Sequence, residues 1–344
     1  MLRQLTILAI GLMLSPVAQA EPIPVELRQT EDGWQLLRGG EPYFIHGAGG
    51  DASLERLAAL GANSIRTWGA DNAAEVLDEA HAHGLTVTLG IWLAHESDGI
   101  DYDNPEHVAA QFAKAREAVL EYRDHPALLL WGVGNEVEGF GSGDDPAIWK
   151  ALNDIAAMVK ELDPNHPTMV VTSEAGGGRI ASLHKNSPAI DIHGINTYGG
   201  APSLVERLRK AGATKPFVIT EFGPLGAWEM PSTDWGAPIE QTSSQKAAYY
   251  RECYEKAVVE SEGQSLGSYA FLWGSKMEAT STWFGMLLDD GAKLASVDVM
   301  SEIWTGKPPA NLAPAIEPIE IDAGTVLKPG ATLMSRVSVE DPEG

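Results

Sequence analysis

The sequence predicts an α/β fold of the (β/α)8 TIM-barrel class, with a short N-terminal hairpin before it and a Pro-rich tail after it. Three observations predict it. Eight short apolar runs alternate with amphipathic segments between Pro42 and Thr305, the pattern of parallel strands joined by crossover helices. The stretch has the roughly 250 residues that a closed eight-unit barrel needs. The structural alternative, an open doubly wound sheet, lacks its usual signal, because Gly47-Ala-Gly-Gly50 does not have Gly-x-Gly-x-x-Gly spacing.

Residues 1–20, MLRQLTILAIGLMLSPVAQA, have the layout of a cleaved secretory signal. Arg3 precedes an apolar run, and Ala18-Gln-Ala20 ends it. The run, Leu5 to Leu14, is too short to span a bilayer. The expectation is export to the periplasm or beyond the cell, with no stable membrane insertion after cleavage. Residues 21–41 predict a hairpin turning at Gly39-Gly40, placed to plug the lower end of the barrel.

The eight predicted strands are Tyr43–Ala48, Asn63–Trp68, Leu85–Leu93, Leu128–Glu136, Thr168–Thr172, Asp191–Tyr198, Pro216–Glu221 and Leu266–Trp273. Helical patterns separate them at Ser53–Leu60, Ala73–His83, Pro105–Tyr122, Asp145–Leu162, Ser203–Ala211, Ser244–Glu260 and Ser296–Trp304. Asn104 before Pro105 is a helix cap, and Pro146 suits a first turn. Ser182–His184 predicts only a turn or a short helix. Residues 306–344 begin with linker composition, Gly306-Lys-Pro-Pro-Ala, and continue with β-like fragments that resemble the start of a β-sandwich module.

Twenty-four Lys and Arg stand against 48 Asp and Glu, a net charge of −24. Such a chain is a poor partner for nucleic acid or an anionic membrane surface. The single Cys253 lies in a helical pattern and reads as a small buried hydrophobe.

Two carboxylates end predicted strands: Glu136 closes Leu-Leu-Leu-Trp-Gly-Val-Gly-Asn-Glu and Glu221 closes Pro-Phe-Val-Ile-Thr-Glu. An acid after an apolar strand is costly unless it faces solvent, a ligand or a partner. In a barrel the C-terminal strand ends surround one mouth, so the fourth and seventh strands bring these acids together. Paired carboxyls suit double displacement at a sugar, one protonating the leaving oxygen and the other attacking the anomeric carbon. Asn135 is placed to donate to a sugar hydroxyl. Arg66 is placed to support Glu221, or else forms an ion pair at the edge of the core. Tyr198 either donates to Glu221 or packs among aromatics.

The chain has 10 tryptophans, and indoles suit the apolar faces of sugars. Trp68, Trp92, Trp228 and Trp273 are candidate platforms, Trp273 foremost, each alternatively a core residue. His46, His95 and His193 lie near strand ends as hydroxyl partners or structural histidines. Glu174 and Glu278 follow strands and are candidate sugar contacts, and Glu96, Asp98 and Glu138 are further acids near the mouth. A metal site from His46, His95, His193, Glu136 and Glu221 is the rival chemistry, but neither a His-x-His pair on the first strand nor a His-Glu-x-x-His helix is present. No Gly-x-Ser-x-Gly elbow supports a serine hydrolase. No metal and no cofactor are expected. A carbohydrate-binding barrel without turnover and a purely structural secreted domain are the non-enzymatic alternatives.

Gly134-Asn135-Glu136 and Thr220-Glu221-Phe-Gly resemble the hallmark of the clan of retaining (β/α)8 glycoside hydrolases. The wider text, including LAALGANSIRTWG and HPALLLWGVGNEVE, resembles the catalytic barrel of glycoside hydrolase family 2 over about residues 33–306. The resemblance implies Glu136 as acid/base and Glu221 as nucleophile, with Asn135, Arg66 and Tyr198 matching the clan's supporting positions. Family 2 enzymes usually carry β-sandwich domains before the barrel, which help close a pocket around a terminal sugar. The short lead here favours an open cleft for a β-linked glucan or oligosaccharide, hydrolysed or transferred. The alternative is an exo-acting β-galactosidase, β-mannosidase or β-glucuronidase. The segment Gly223–Ser243, with Trp228 and Trp235, is a candidate cleft wall.

Overall fold

The computed structural model describes residues 21–322 and 326–342. The expected export signal lies outside the described residues.

Strands β1 (Val25–Thr30), β2 (Gly33–Arg38) and β3 (Glu41–Tyr43) form an antiparallel sheet in that order. Gly39 and Gly40 both have positive φ, 59° and 85°, which the tight turn between β2 and β3 requires. A second turn at Glu31-Asp32 adds β1, so the lead is a three-stranded meander rather than one hairpin. Val25 and Leu36 are buried in one apolar cluster with Ile45, Leu129, Met169, Val218 and Tyr269. Trp34 N donates to Gly263 O at 2.7 Å and Arg38 to Pro126 O at 2.7 Å. The sheet thus caps the end of the barrel where the strands begin.

The barrel strands are β4 (Ile45–Gly49), β5 (Ser64–Arg66), β6 (Thr86–Ile91), β7 (Leu128–Asn135), β8 (Thr168–Ser173), β9 (Ile192–Asn196), β10 (Phe217–Phe222) and β11 (Ser265–Ala270). Each pairs in parallel with its neighbour, and β11 closes on β4. Every residue of β6, β10 and β11 is buried, as strands covered on both faces require. The Tyr269 hydroxyl meets Ser64 Oγ at 2.8 Å and Thr88 Oγ1 at 2.6 Å inside the barrel. A Cβ at Gly47 would lie 2.4 Å from the Tyr269 ring, so this glycine makes room for a core side chain rather than a phosphate.

Outside run α1 (Leu54–Ala59), α2 (Ala73–Ala82), α3 (Pro105–Tyr122), α4 (Pro146–Leu162), α5 (Arg179–Asn186), α6 (Leu204–Lys210), α7 (Ser243–Ala257) and α8 (Ala295–Thr305). Asn104 caps α3 by accepting from Glu106 N at 2.9 Å, and Asp145 caps α4 by accepting from Ala147 N at 2.8 Å. The segment expected to make a turn or a short helix at Ser182–His184 is the centre of the short helix α5, which extends beyond it at both ends. Its buried Arg179, Ile180 and Leu183 supply the packing face that three residues alone do not reveal. Cys253 is buried within α7, and burial pushes its thiol up to about 12.

The tail begins against the barrel. Ala313 N donates to Asp298 Oδ2 at 2.6 Å, and Ile316 N to Ser244 Oγ at 2.8 Å. Beyond this, β12 (Ala315–Ile316) pairs with β15 (Val339–Glu340), and β13 (Glu320–Ile321) with β14 (Ser335–Arg336). Among the described residues, no helix is long and apolar enough to cross a membrane.

Candidate active site

The C-terminal end of the barrel holds a cavity of about 890 Å³ lined by Glu136 and Glu221 together with Trp68, Trp92, Asn135, Asn196 and others. Backbone geometry puts Glu136 there. Gly134 and Glu136 both have positive φ, 71° and 53°, which turns the chain out of the strand. Glu136 N still bonds Val171 O at 2.8 Å and keeps the turn against β8. Left-handed backbone at a residue other than glycine is uncommon and concentrates at functional sites. Glu221 lies within β10 itself and is only 6% exposed.

One hydrogen-bonded network joins the two acids. Arg66 donates to Glu221 Oε1 at 2.9 Å and to Asn135 Oδ1 at 2.6 Å. Trp68 Nε1 donates to Glu221 Oε1 at 2.7 Å, and the Tyr198 hydroxyl to Oε2 at 2.9 Å. Asn196 Nδ2 donates to Asn135 Oδ1 at 3.1 Å and to Glu136 Oε1 at 2.8 Å. Three donors, one a guanidinium, therefore converge on Glu221. Glu136 receives a single side-chain donor. Burial, and then the charge of Glu221, push the Glu136 carboxyl up to about 7, against the opposing pull of the Asn196 hydrogen bond. The Tyr198 hydroxyl is pushed well above its usual range by burial and by Glu221, so it stays a donor. The site thus holds one carboxyl poised to carry a proton near neutral pH and one surrounded by donors.

The structure gathers most of the sequence-predicted residues at this mouth. Glu136, Glu221, Asn135, Trp68, Trp92, Tyr198, Glu174, Trp228 and Glu278 line the cavity, and Arg66 lies behind it, 2% exposed. Glu174 is paired with Arg207 and Glu278 with Lys276. His95 stands behind Trp92 rather than on the wall, its ring stacked on the indole.

Four residues expected to touch a sugar, His95 among them, do not line the cavity. Trp273 is 1% exposed, and its indole nitrogen donates to Ala52 O. The chain after β11 turns this side chain into the core beside β4, and Phe271 takes the cavity wall instead. His46 and His193 are each the second residue of their strand, far from the C-terminal ends. His46 meets Phe44 edge to face. His193 shares a hydrogen bond with Thr172 Oγ1 at 2.8 Å, and burial lowers its pKa to about 3. These placements separate the histidines of the rival metal reading.

Sequence reasoning missed Asn196, Phe140, Glu229 and Lys276, all on the lining. Asn196 had a signal: a polar residue ending an apolar strand, two positions before Tyr198. Glu138, expected as a further acid near the mouth, is instead a buried support two residues after Glu136. Glu138 is buried against Arg179, Nε to Oε1 at 2.8 Å, and accepts from Ser173 N at 2.8 Å.

Comparison with known proteins fits this arrangement. The family described as glycosyl hydrolases family 2, TIM barrel domain, matches residues 54–260. The chain is 27% identical over 213 residues to β-glucuronidase of Chlorocebus aethiops, covering 54% of this chain and 30% of that protein. It is 36% identical over 135 residues to the probable mannan endo-1,4-β-mannosidase F of Neosartorya fischeri, covering 39% of this chain and 25% of that protein. The chain therefore spans under a third of the length of these relatives. A β-D-glucuronidase structure from Dictyoglomus thermophilum superposes with a TM-score of 0.64 at 17% identity, covering 83% of this chain and 54% of that one, a likeness of fold. With the family match running from α1 to the end of α7, the chain belongs to glycosyl hydrolase family 2, through its TIM barrel domain.

Proposed function

We propose that the chain is a retaining β-glycosidase with Glu136 as acid/base and Glu221 as nucleophile. The observation that carries this reading is the opposite setting of the two carboxyls on one cavity, one raised to about 7 and the other ringed by Arg66, Trp68 and Tyr198.

In the first step a Glu221 oxygen attacks the anomeric carbon while Glu136 gives its proton to the glycosidic oxygen. The bond to the leaving sugar breaks and an ester to Glu221 forms. Esterification removes the negative charge that helped hold the Glu136 proton, so Glu136 next acts as a base. It takes a proton from water, whose oxygen attacks the anomeric carbon and releases Glu221. Asn135 Oδ1 already accepts from Arg66 and Asn196, which leaves its NH2 for the sugar hydroxyl beside the reacting carbon. Transfer differs from hydrolysis only in that a sugar hydroxyl replaces water.

The substrate we propose is a neutral β-linked oligo- or polysaccharide, a β-glucan first. Five carboxyls (Glu136, Glu174, Glu221, Glu229 and Glu278) line the cavity against one ammonium, Lys276, which lies 2.6 Å from Glu278. Such a lining disfavours an anionic sugar. The exposed Trp92, Phe140 and Trp228 on the rim suit a chain of several rings. A second reading is an exo-acting uronidase. It is favoured by the β-glucuronidase names among the similar proteins and by Lys276, placed to pair with a uronate after releasing Glu278. We also take residues 1–20 as an export signal, to be tested by N-terminal sequencing of the exported protein.

Incubation with p-nitrophenyl β-glycosides and with β-glucan, β-mannan and β-glucuronide substrates tests both readings. Neutral-chain cleavage with a β-configured first product is expected. Selective cleavage of terminal β-glucuronides supports the second reading, and an α-configured first product rejects the mechanism.

A further inference from the structure

Six aromatic residues line the cavity, of which Trp228 packs edge to face on Tyr198 and Phe140 follows β7. Trp68, Tyr198 and Phe271 belong to the nucleophile: Trp68 and Tyr198 bond Glu221 directly, and Phe271 meets both rings edge to face at 5.8 and 6.0 Å. Trp92 belongs elsewhere. It follows β6, which pairs with β7, the strand that leads into Glu136, and in barrel order β6 lies four strands from β10, diametrically across from Glu221.

Trp92 is 51% exposed and lines the cavity. His95 stacks on its indole, ring centroids 5.6 Å apart and planes 14° from parallel. His95 Nε2 in turn lies 2.9 Å from the carbonyl oxygen of Asn135, the residue before Glu136. One indole face is therefore braced, through a single imidazole, on the backbone that carries the proposed acid/base. A large apolar ring held open to solvent at such cost is suited to a ligand's apolar face. The neighbouring turn carries Glu96 and Asp98, which favours a neutral ring.

We propose that Trp92 is the platform for the sugar on the leaving-group side of the scissile bond, and for the acceptor sugar when the glycosyl group is transferred. The inference rests on the glycosidase reading of Glu136 and Glu221. Glu136 delivers its proton to the leaving oxygen, so the sugar bearing that oxygen sits on the Glu136 side. By microscopic reversibility an acceptor enters from the same side. Its hydroxyl gives a proton to Glu136, its oxygen bonds the anomeric carbon, and the ester to Glu221 breaks.

The test compares Trp92→Ala and Trp92→Phe with the parent protein on p-nitrophenyl glycosides, which lack a leaving sugar, and on short laminari-, cello- and manno-oligosaccharides. For Trp92→Ala, kcat/KM on the oligosaccharide should fall about tenfold or more beyond any fall on the nitrophenyl glycoside. Transfer products formed with added oligosaccharide acceptor should fall with it, and Trp92→Phe should recover most of both. Equal losses on the two substrate types, or unchanged oligosaccharide turnover, overturn the assignment. If the parent turns over no glycoside, the glycosidase reading fails, and tryptophan fluorescence decides the platform separately. Saturable quenching by the same oligosaccharides that disappears in Trp92→Ala supports a sugar platform, whereas identical titrations, or no quenching, reject it.

Discussion

Asn196 Nδ2 donates to Glu136 Oε1 at 2.8 Å, and the Thr220 hydroxyl fixes that amide by donating to Asn196 Oδ1 at 2.7 Å. Thr220 immediately precedes Glu221. The strand that carries one carboxyl thus aims the donor that touches the other.

This hydrogen bond favours the ionised form of Glu136 and opposes burial and the Glu221 charge. Asn196→Ala should therefore shift the alkaline limb of the kcat/KM profile upward, by about one pH unit or less. Profiles of both proteins on one activated glycoside check it, and a limb that stays put or moves down counts against the assigned contact.

Because the Glu136 carboxyl titrates near 7 when folded, activity should decline as pH rises through about 7. Stability follows the same sign. A pKa raised above its unfolded value contributes stability that is complete below that unfolded value and is lost as pH rises through about 7. Glu136→Gln should remove this loss, on the order of a few kcal/mol. Urea unfolding of parent and variant at about pH 5 and about pH 8 reads it as a flatter dependence in the variant.

With the acid/base removed, an external anion can attack the glycosyl enzyme. Azide should rescue Glu136→Ala on a p-nitrophenyl glycoside and give the β-glycosyl azide, while Glu221→Ala should lose turnover by about a thousandfold or more. An α-azide from Glu136→Ala would falsify the double displacement.

Arg66 bridges Glu221 and Asn135 with separate nitrogens and is nearly inaccessible. Arg66→Met strands a buried carboxylate and should cost about 3–5 kcal/mol of stability. Adding Glu221→Gln should return part of that loss, because the partner charge is gone. Thermal unfolding of the single and double variants measures the coupling, and strict additivity contradicts it.

Trp273 is placed as a core residue, so Trp273→Ala should act through stability, at about 3–5 kcal/mol. Denaturant midpoints check the cost. A KM increase with stability intact would return Trp273 to the sugar site.

The sequence by itself determined the class of fold and the two acids. Eight alternating units are legible because apolar periodicity is local, and Glu136 and Glu221 stand out because an acid ending an apolar strand is costly without a reason. The Asn104 cap of α3 and the first-turn Pro146 of α4 were legible for the same local cause. Other features depended on distant chain segments. The extent of helix α5 was not legible beyond Ser182–His184, because its buried face is completed by packing on neighbouring elements. Trp273, His46 and His193 carry strand-end chemistry in one dimension, but the turn after β11 and the position along each strand decide whether a side chain faces core or mouth. Only the tertiary structure set the Glu136 proton near neutrality, through burial and the charge of a residue on another strand. Only it placed Asn196 between the two carboxyls and Trp92 across from the nucleophile, because closure of the barrel sets which strand ends meet.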